Sequence, residues 1–200
     1  MRLHNIALSI ITIVSCCVLP SAAIAEMQWK ISPARTSVDF AVKHLMLMEV
    51  EGKFRSPQGT VVTQSKTDFS NAKVTASIPV STISTGNEDR DAHLLQKVFF
   101  NAEKYPTMDF RSTSVKATGK DTYEMRGMIT IRGVSRPILF EVHKSKLLDL
   151  KDGKACCHFV ATAKLNRYDF GLKWNDLTET GGMVVDDMVK IQLKVTMLSA

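Results

Sequence analysis

Hydrophobic and polar positions alternate with period 2 along most of the chain beyond residue 25, the pattern of strands with one buried and one wet face. The last run is the clearest: Val189, Ile191, Leu193, Val195 and Met197 alternate with Lys190, Gln192, Lys194 and Thr196. Val74, Ala76, Ile78 and Val80 stand against Lys73, Thr75 and Ser77, and Tyr123, Met125, Ile129 and Ile131 against Glu124, Arg126, Thr130 and Arg132. Ile138, Phe140 and Val142 form a shorter run. Cys157, Phe159, Ala161, Ala163 and Leu165 form a longer one, which points Cys157 inward and leaves Cys156 outward as an exposed thiol. With residues 27–31, 37–42, 50–56, 59–63 and 108–117 there are about ten strand candidates separated by short turn signals. This is an all-β sandwich or barrel. A membrane barrel alternates as well, with its polarity reversed. The scattered polar loops and irregular strands favour a barrel that is apolar inside.

One stretch breaks the alternation. Thr85 and Glu88 have capping-box spacing, Glu88 and Asp89 put negative charge into a first turn, and Leu94, Leu95 and Val98 follow at helical spacing before Asn101 and Pro106. The spacing predicts a helix over 87–98, inserted between strands. With Phe99 and Phe100 beside it, this helix is placed to act as a lid or plug across one end of a barrel.

Residues 1–25 read differently from the rest. Arg2 precedes an apolar stretch over 6–19, and Pro20 precedes Ala23-Ile24-Ala25, a small-x-small cleavage pattern. The stretch is shorter than the roughly 20 residues a spanning helix needs. The expectation is a signal peptide cleaved near Ala25, a domain over 26–200, and a periplasmic or secreted location. Ile13-Val14-Ser15-Cys16, which loosely resembles a lipobox, is the competing reading. Cleavage removes Cys16 and Cys17 and leaves Cys156 and Cys157, which are adjacent, face opposite sides of a strand and predict two thiols with no disulfide framework. His44, His93, His143 and His158 show no metal-ligand spacing, so neither a metal nor a cofactor is expected. The 200 residues, 44% hydrophobic and 23% charged, suit a single folded domain. The formal charge of +6 is spread without a basic run, which argues against a nucleic-acid groove and is compatible with transient contact with an anionic membrane surface.

The chain resembles the YceI-like proteins, bacterial secreted domains with a lipocalin-like fold. The landmarks are Trp29-Lys30-Ile31, Ser37-x-x-Phe40-x-Val42-x-His44, Gly52-x-Phe54 with Gly59, and Ser84-x-x-Asn87-x-x-Arg90-Asp91-x-His93-Leu94. Further on come Phe99-Phe100, Tyr105-Pro106-x-x-x-Phe110, Gly127-x-Ile129-Thr130-Ile131-x-Gly133, Asn166-Arg167-x-Asp169-Phe170-Gly171 and Asp187-x-Val189. Two departures are Arg35-Thr36, where the family usually has His-Ser, and Asp186, where glycine is common and on which the geometry of the final turn depends. The resemblance implies an elongated antiparallel lipocalin-like β-barrel whose apolar tunnel holds the tail of a long-chain isoprenoid or similar fatty amphiphile. One buried methylene is worth roughly 0.8 kcal/mol, so a five-carbon isoprene unit contributes about 4 kcal/mol gross. Association costs about 4 to 15 kcal/mol, so several units are needed and no ion pair is.

Candidate tunnel residues are Phe40, Met46, Met48, Phe54, Phe99 and Phe100 from the first half, and Phe110, Phe140, Phe170 and Trp174 from the second. Taken singly, each fits a plain core position at least as well as a ligand wall. His44 follows Phe40 and Val42 in phase and is either a hydrogen-bonded core histidine or a head-group contact. Arg90 and Asp91 read as ties between the helix and neighbouring strand ends. Asp89 and His93, four apart, read as a stabilising pair, although Arg90 or His93 could also meet a polar head group. Asn166, Arg167 and Asp169 read as turn chemistry. The function expected is non-enzymatic sequestration or transport of a lipid, with no catalytic residue. The alternatives are an enzyme acting on such a lipid with His93 or His44 as acid or base, and a dimeric stress-response module. A homodimer is a further partner expectation.

Overall fold

The computed structural model describes residues 26–44, 48–174 and 185–200, so the signal peptide expected over 1–25 and the candidate Met46 lie outside the described residues. In chain order the strands are β1 (Met27–Ile31), β2 (Ser37–His44), β3 (Met48–Phe54), β4 (Gln58–Thr63), β5 (Lys73–Pro79), β6 (Thr107–Gly119), β7 (Thr122–Ile131), β8 (Val134–Asp149), β9 (Ala155–Asn166) and β10 (Val185–Ser199). The helix α1 (Glu88–Leu95) lies between β5 and β6. Neighbours pair antiparallel in the order β1-β4-β5-β6-β7-β8-β9-β10, and β10 returns to β1, closing eight strands into a barrel. The β2–β3 hairpin hangs on the same edge of β10, which pairs with β2 through residues 189–194 and with β1 through residues 197–199. The break is bridged by a 3₁₀ turn, Pro33–Arg35, which Ser32 pins by donating its N–H to the Thr196 carbonyl at 2.9 Å. An isolated bridge between Lys53 and Ser84 ties the free edge of β3 to the segment that leads into α1.

The β7–β8 turn shows how sequence sets the ends of the barrel. Its two residues, Arg132 (φ 52) and Gly133 (φ 73), both take the left-handed conformation that matches the twist of a two-residue hairpin. Glycine enters that region freely. Arg132 does not, but its guanidinium donates to the carbonyls of Gly171 and Lys97, at 2.8 and 3.0 Å. The strained turn thus anchors the loops after β9 and after α1 at this end of the barrel, the helix end.

Alternation sends the apolar side chains inward, where they form two clusters along the barrel. At the helix end, Val38, Phe54, Val80, Met108, Ile129, Phe140 and Phe170 pack with Leu94 and Leu95 of α1. At the opposite end the centre is Trp29, fully buried, which donates its indole N–H to Thr63 Oγ1 at 3.0 Å. Phe69 lies between Trp29 and Phe159, with ring centroids at 5.4 and 4.9 Å. Trp29→Phe leaves a void and strips a buried hydroxyl of its donor. It is expected to lower the unfolding free energy by about 1–3 kcal/mol, read as a shift of the urea midpoint at unchanged slope.

Helix α1 is shorter than its sequence signals imply. Thr85 and Glu88 do not form a capping box, because the Thr85 N–H and hydroxyl both donate to Asp91 Oδ1, at 2.8 and 2.5 Å. Asn87 is the N-cap, accepting from the Arg90 N–H at 2.9 Å. The helix ends where the Gln96 N–H turns back to the His93 carbonyl. Arg90 donates to Thr85 Oγ1 and to the Thr85 carbonyl. Arg90 and Asp91 therefore bind the segment immediately before the helix, and not the strand ends.

The two cysteines part company as the strand phase predicts, with one correction. Cys157 points inward and is fully buried. Cys156 points outward yet is only 4% exposed, so it is not an exposed thiol. Its cross-strand neighbours are Leu148 and Leu198, and its sulfur lies 3.6 Å from His158 Nε2, whose Nδ1 is 3.0 Å from Thr196 Oγ1. Burial pushes the Cys157 thiol up from 9.0 to about 11. The folded thiol then stays protonated while the unfolded one ionises, so stability is lost as pH rises from about 9 to 11. The expected loss attributable to this group is about 2–3 kcal/mol by the upper end of that window. Urea unfolding across the window, compared with Cys157→Ala, checks it; equal slopes for the two proteins would refute it.

Candidate functional site

Two apolar chambers lie end to end inside the barrel. The larger, at the helix end, has a cavity volume of about 160 Å³ and is walled by residues from β2, β3, α1, β6, β7, β8, β9 and β10. The smaller, of about 80 Å³, lies towards the Trp29 end among Phe69, Val115, Tyr123, Met125, Phe159 and Val195. No polar atom is exposed on either inner surface. An apolar cavity of about 150 Å³ holds a benzene-sized guest. The larger chamber as it stands therefore accepts about one isoprene unit, below the 300–1,000 Å³ usual for ligand pockets.

Of the aromatic residues singled out from sequence, Phe40, Phe54, Phe99, Phe100 and Phe140 line the larger chamber. Phe40 reaches it because its cross-strand partner is Gly52, at which a Cβ would come within 2.3 Å of the Phe40 ring. Phe54 stacks between Phe40 and Phe100 at 5.5 and 5.8 Å, joining the β2–β3 hairpin to the chain that follows α1. The remaining candidates sit elsewhere. Phe110 packs edge-on against Phe140 at 5.5 Å without lining either chamber, and Phe170 is buried in the core beside them. Met48 is 56% exposed at the start of β3, and is rim and not wall. His44, at the end of β2, is half-buried and pairs in register with Met48 and Val185, away from the chamber lining.

His93 is held by rings and forms no ion pair with Asp89. Its imidazole lies 5.3 Å from both Phe99 and Trp174, edge-on to each, and those two rings are 5.1 Å apart. Of this trio only Phe99 lines the chamber. Neither His93, His44 nor Arg90 is among the chamber-lining residues, and among the described residues no group of three or more His, Cys, Asp or Glu could hold a metal ion.

Turn chemistry alone does not account for Arg167. Asn166 does cap the 3₁₀ turn Arg167–Phe170, accepting from the Tyr168 N–H at 2.9 Å and donating to Asp187 Oδ2 at 2.8 Å. Arg167 itself is 5% exposed and lines the larger chamber. Its Nε–H donates to the Asp186 carbonyl. One terminal nitrogen donates to the carbonyls of Leu172 and Trp174, and the other to the Val185 carbonyl and the Tyr168 hydroxyl. Burial holds the guanidinium below its ordinary value, opposed by Tyr168, Asp187 and Asp186. All five donors are engaged, so Arg167 brings positive charge to the chamber wall without offering a guest a free N–H. At the neighbouring Asp186, the departure flagged in the sequence, β10 carries an irregularity between Val185 and Val189. The Asp186 carboxylate accepts from the Met188 N–H at 3.1 Å, the main cause of its lowered pKa.

The aliphatic walls of both chambers escaped individual notice in the sequence, because Leu165, Val189, Ile191 and Leu193 read only as the apolar phase of strands. Phe69, central to the smaller chamber, lies in an irregular segment where no periodicity marks it.

Comparison with known proteins agrees with this architecture. A UPF0312 protein of Staphylococcus aureus is 32% identical over 160 residues, covering 80% of this chain and 90% of its own. The crystal structure of Campylobacter jejuni YceI protein superposes with a TM-score of 0.64 at 28% identity, over 77% of this chain and 87% of that one. At the level of fold alone, Burkholderia cenocepacia BcnA (TM-score 0.71, 19% identity, 83% of this chain and 98% of that one) is similar. So is a polyisoprenoid binding domain from Saccharophagus degradans implicated in plant cell wall breakdown (TM-score 0.62, 12% identity, 84% and 97%). The YceI-like domain model matches residues 29–197, from the buried Trp29 of β1 to Met197 of β10, the two strands whose pairing closes the barrel; the chain belongs to the YceI-like domain family.

Proposed function

We propose that the protein is a periplasmic or secreted carrier that shelters the tail of a long-chain isoprenoid or similar amphiphile inside the barrel, without chemical turnover. The observation that carries this reading is the larger chamber, an interior void of about 160 Å³ with no polar surface, which admits the first isoprene unit as it stands and further units only as its apolar walls give way. A catalytic site needs converging polar groups, whereas a hydrocarbon binder needs only apolar walls that its own side chains do not fill. The Saccharophagus neighbour's description supports an isoprenoid as the guest. Loading by brief contact with a lipid surface is supported by the helix end, where Met48, Val98 and Met188 are exposed around the loops that border the chamber.

Native mass spectrometry of protein purified from its own cells, with the fraction of origin recorded, tests the reading. The expected result is a periplasmic or secreted protein bearing a lipid-mass adduct that organic extraction removes unchanged. A ligand-free mass, together with failure to retain any added isoprenyl alcohol, would overturn it.

A further inference from the structure

The barrel interior is divided where a long chain would have to pass. Leu193 lines both chambers. Met125 and Val142 pack against both core clusters and line only the smaller chamber. Met125 pairs across β7–β8 with Phe140, which lines the larger one. The next inward position on β7 is Gly127, where the Phe110 ring stands 2.5 Å from the place of a Cβ and fills the gap that a side chain would occupy. Met125, Val142 and Leu193, backed by the Phe110–Phe140 pair, therefore form a partition between the 160 Å³ and 80 Å³ chambers.

The members of this wall differ in stiffness. Val142 is β-branched and held at χ1, and the two phenylalanines are locked edge to face. Met125 is unbranched, with three rotatable bonds and a polarisable sulfur that tolerates many packings. We infer that Met125 is the movable gate of the partition and sets the chain length the protein accepts. Short tails occupy the larger chamber alone, and longer tails enter the smaller one only when Met125 swings aside. This inference rests on the lipid-carrier reading above. By the benzene comparison the smaller chamber takes about three carbons. Each methylene admitted strengthens binding roughly fourfold, so opening the gate is worth up to roughly 60-fold for chains long enough to fill the smaller chamber.

The test uses the full chain, two variants and two independent readouts. Affinities for all-trans isoprenyl alcohols of increasing length are measured by competition against a fluorescent fatty acid. Met125→Ala is expected to strengthen binding of the long alcohols by about tenfold or more while leaving benzene, a guest that the larger chamber holds by itself, unchanged. Met125→Ile keeps the volume but stiffens the wall, and is expected to weaken the long alcohols by a similar factor, again sparing benzene. Xenon binding reads the partition without any lipid: two separate sites are expected in the wild type and one continuous column in Met125→Ala. If both variants keep the wild-type length profile, or if xenon already fills one column in the wild type, the gate is refuted while the carrier reading stands. If no isoprenyl alcohol binds any of the three proteins, the carrier reading falls and the gate falls with it, even where xenon finds two chambers.

Discussion

Replacing Arg167 by methionine is expected to destabilise the protein by about 3–5 kcal/mol, although the new side chain has similar length and suits an apolar wall. The guanidinium is the shared donor for four backbone carbonyls, those of Leu172, Trp174, Val185 and Asp186, which lie on both sides of residues 175–184. Leu172 and Val185 also line the larger chamber, so the same bonds that stabilise the fold hold two of the chamber walls in place. Arg167→Lys is expected to recover little, since an ammonium cannot reproduce a planar fork with five donors in fixed directions. Urea unfolding of the three proteins measures this. A loss below about 1 kcal/mol in the methionine variant would show that the carbonyls find water or other donors without cost. Reduced retention of isoprenyl alcohols under conditions where the variant is still folded would show that the walls have moved.

Phe140→Asp is expected to be the most damaging single change, costing more than about 4 kcal/mol at neutral pH. Phe140 is 3% exposed, touches Phe110 edge-on and faces a chamber that offers no hydrogen-bond donor, so a carboxylate there would be buried and unpartnered. Burial would raise its folded-state pKa above the unfolded value of about 3.9. The penalty is then full above the raised pKa and is relieved as pH falls towards the unfolded one. The variant should therefore melt far below the wild type at pH 7 and recover part of the difference near pH 5, whereas Phe140→Leu should stay close to the wild type at both. A Phe140→Asp protein that melts like the wild type at neutral pH would mean that this position meets water. Lipid retention follows the same logic, since an ionised group at the chamber wall removes the apolar surface that the guest needs.

Much of the fold was legible because alternation is local. The phase of β10, β7 and β9 assigns Ile191, Met125 and Cys157 to the interior without reference to any other strand, and the structure agrees. The helix was recognisable by its spacing. Its bounds were not, because Thr85 has more than one use: it can begin a capping box or bind Asp91 and Arg90, and only the placement of Ser84 against Lys53 of β3 favours the second. The same limit applies to Cys156. Its outward phase follows from the alternation of β9, but its burial depends on Leu148, Leu198 and His158, which the outer face of the sheet brings beside it.

The candidate site was legible as a composition and not as a geometry. Ten aromatic and methionine residues fit the composition of a tunnel wall, and of the nine among the described residues five line the larger chamber. Nothing in the pattern distinguishes Phe140, on the wall, from Phe110 and Phe170, packed behind it. All three are inward and apolar, and the difference lies in which rings meet. Arg167 carried no sequence signal of burial, because a charged residue beside Asn166 and Asp169 in a turn reads as solvated until five acceptors are found converging on it.

By itself the sequence determined the class of structure, the inward face of each strand, the inserted helix and the apolar character of the interior. These follow from backbone geometry, which repeats every two residues in a strand and every 3.6 in a helix, and from the cost of burying polar groups. The tertiary structure alone decided that the interior is only partly filled, that its free volume is split in two, and that a buried arginine holds two parts of the wall in place. Unfilled space is a difference between the volume a closed sheet encloses and the volume its side chains occupy, and neither quantity exists until distant strands have met.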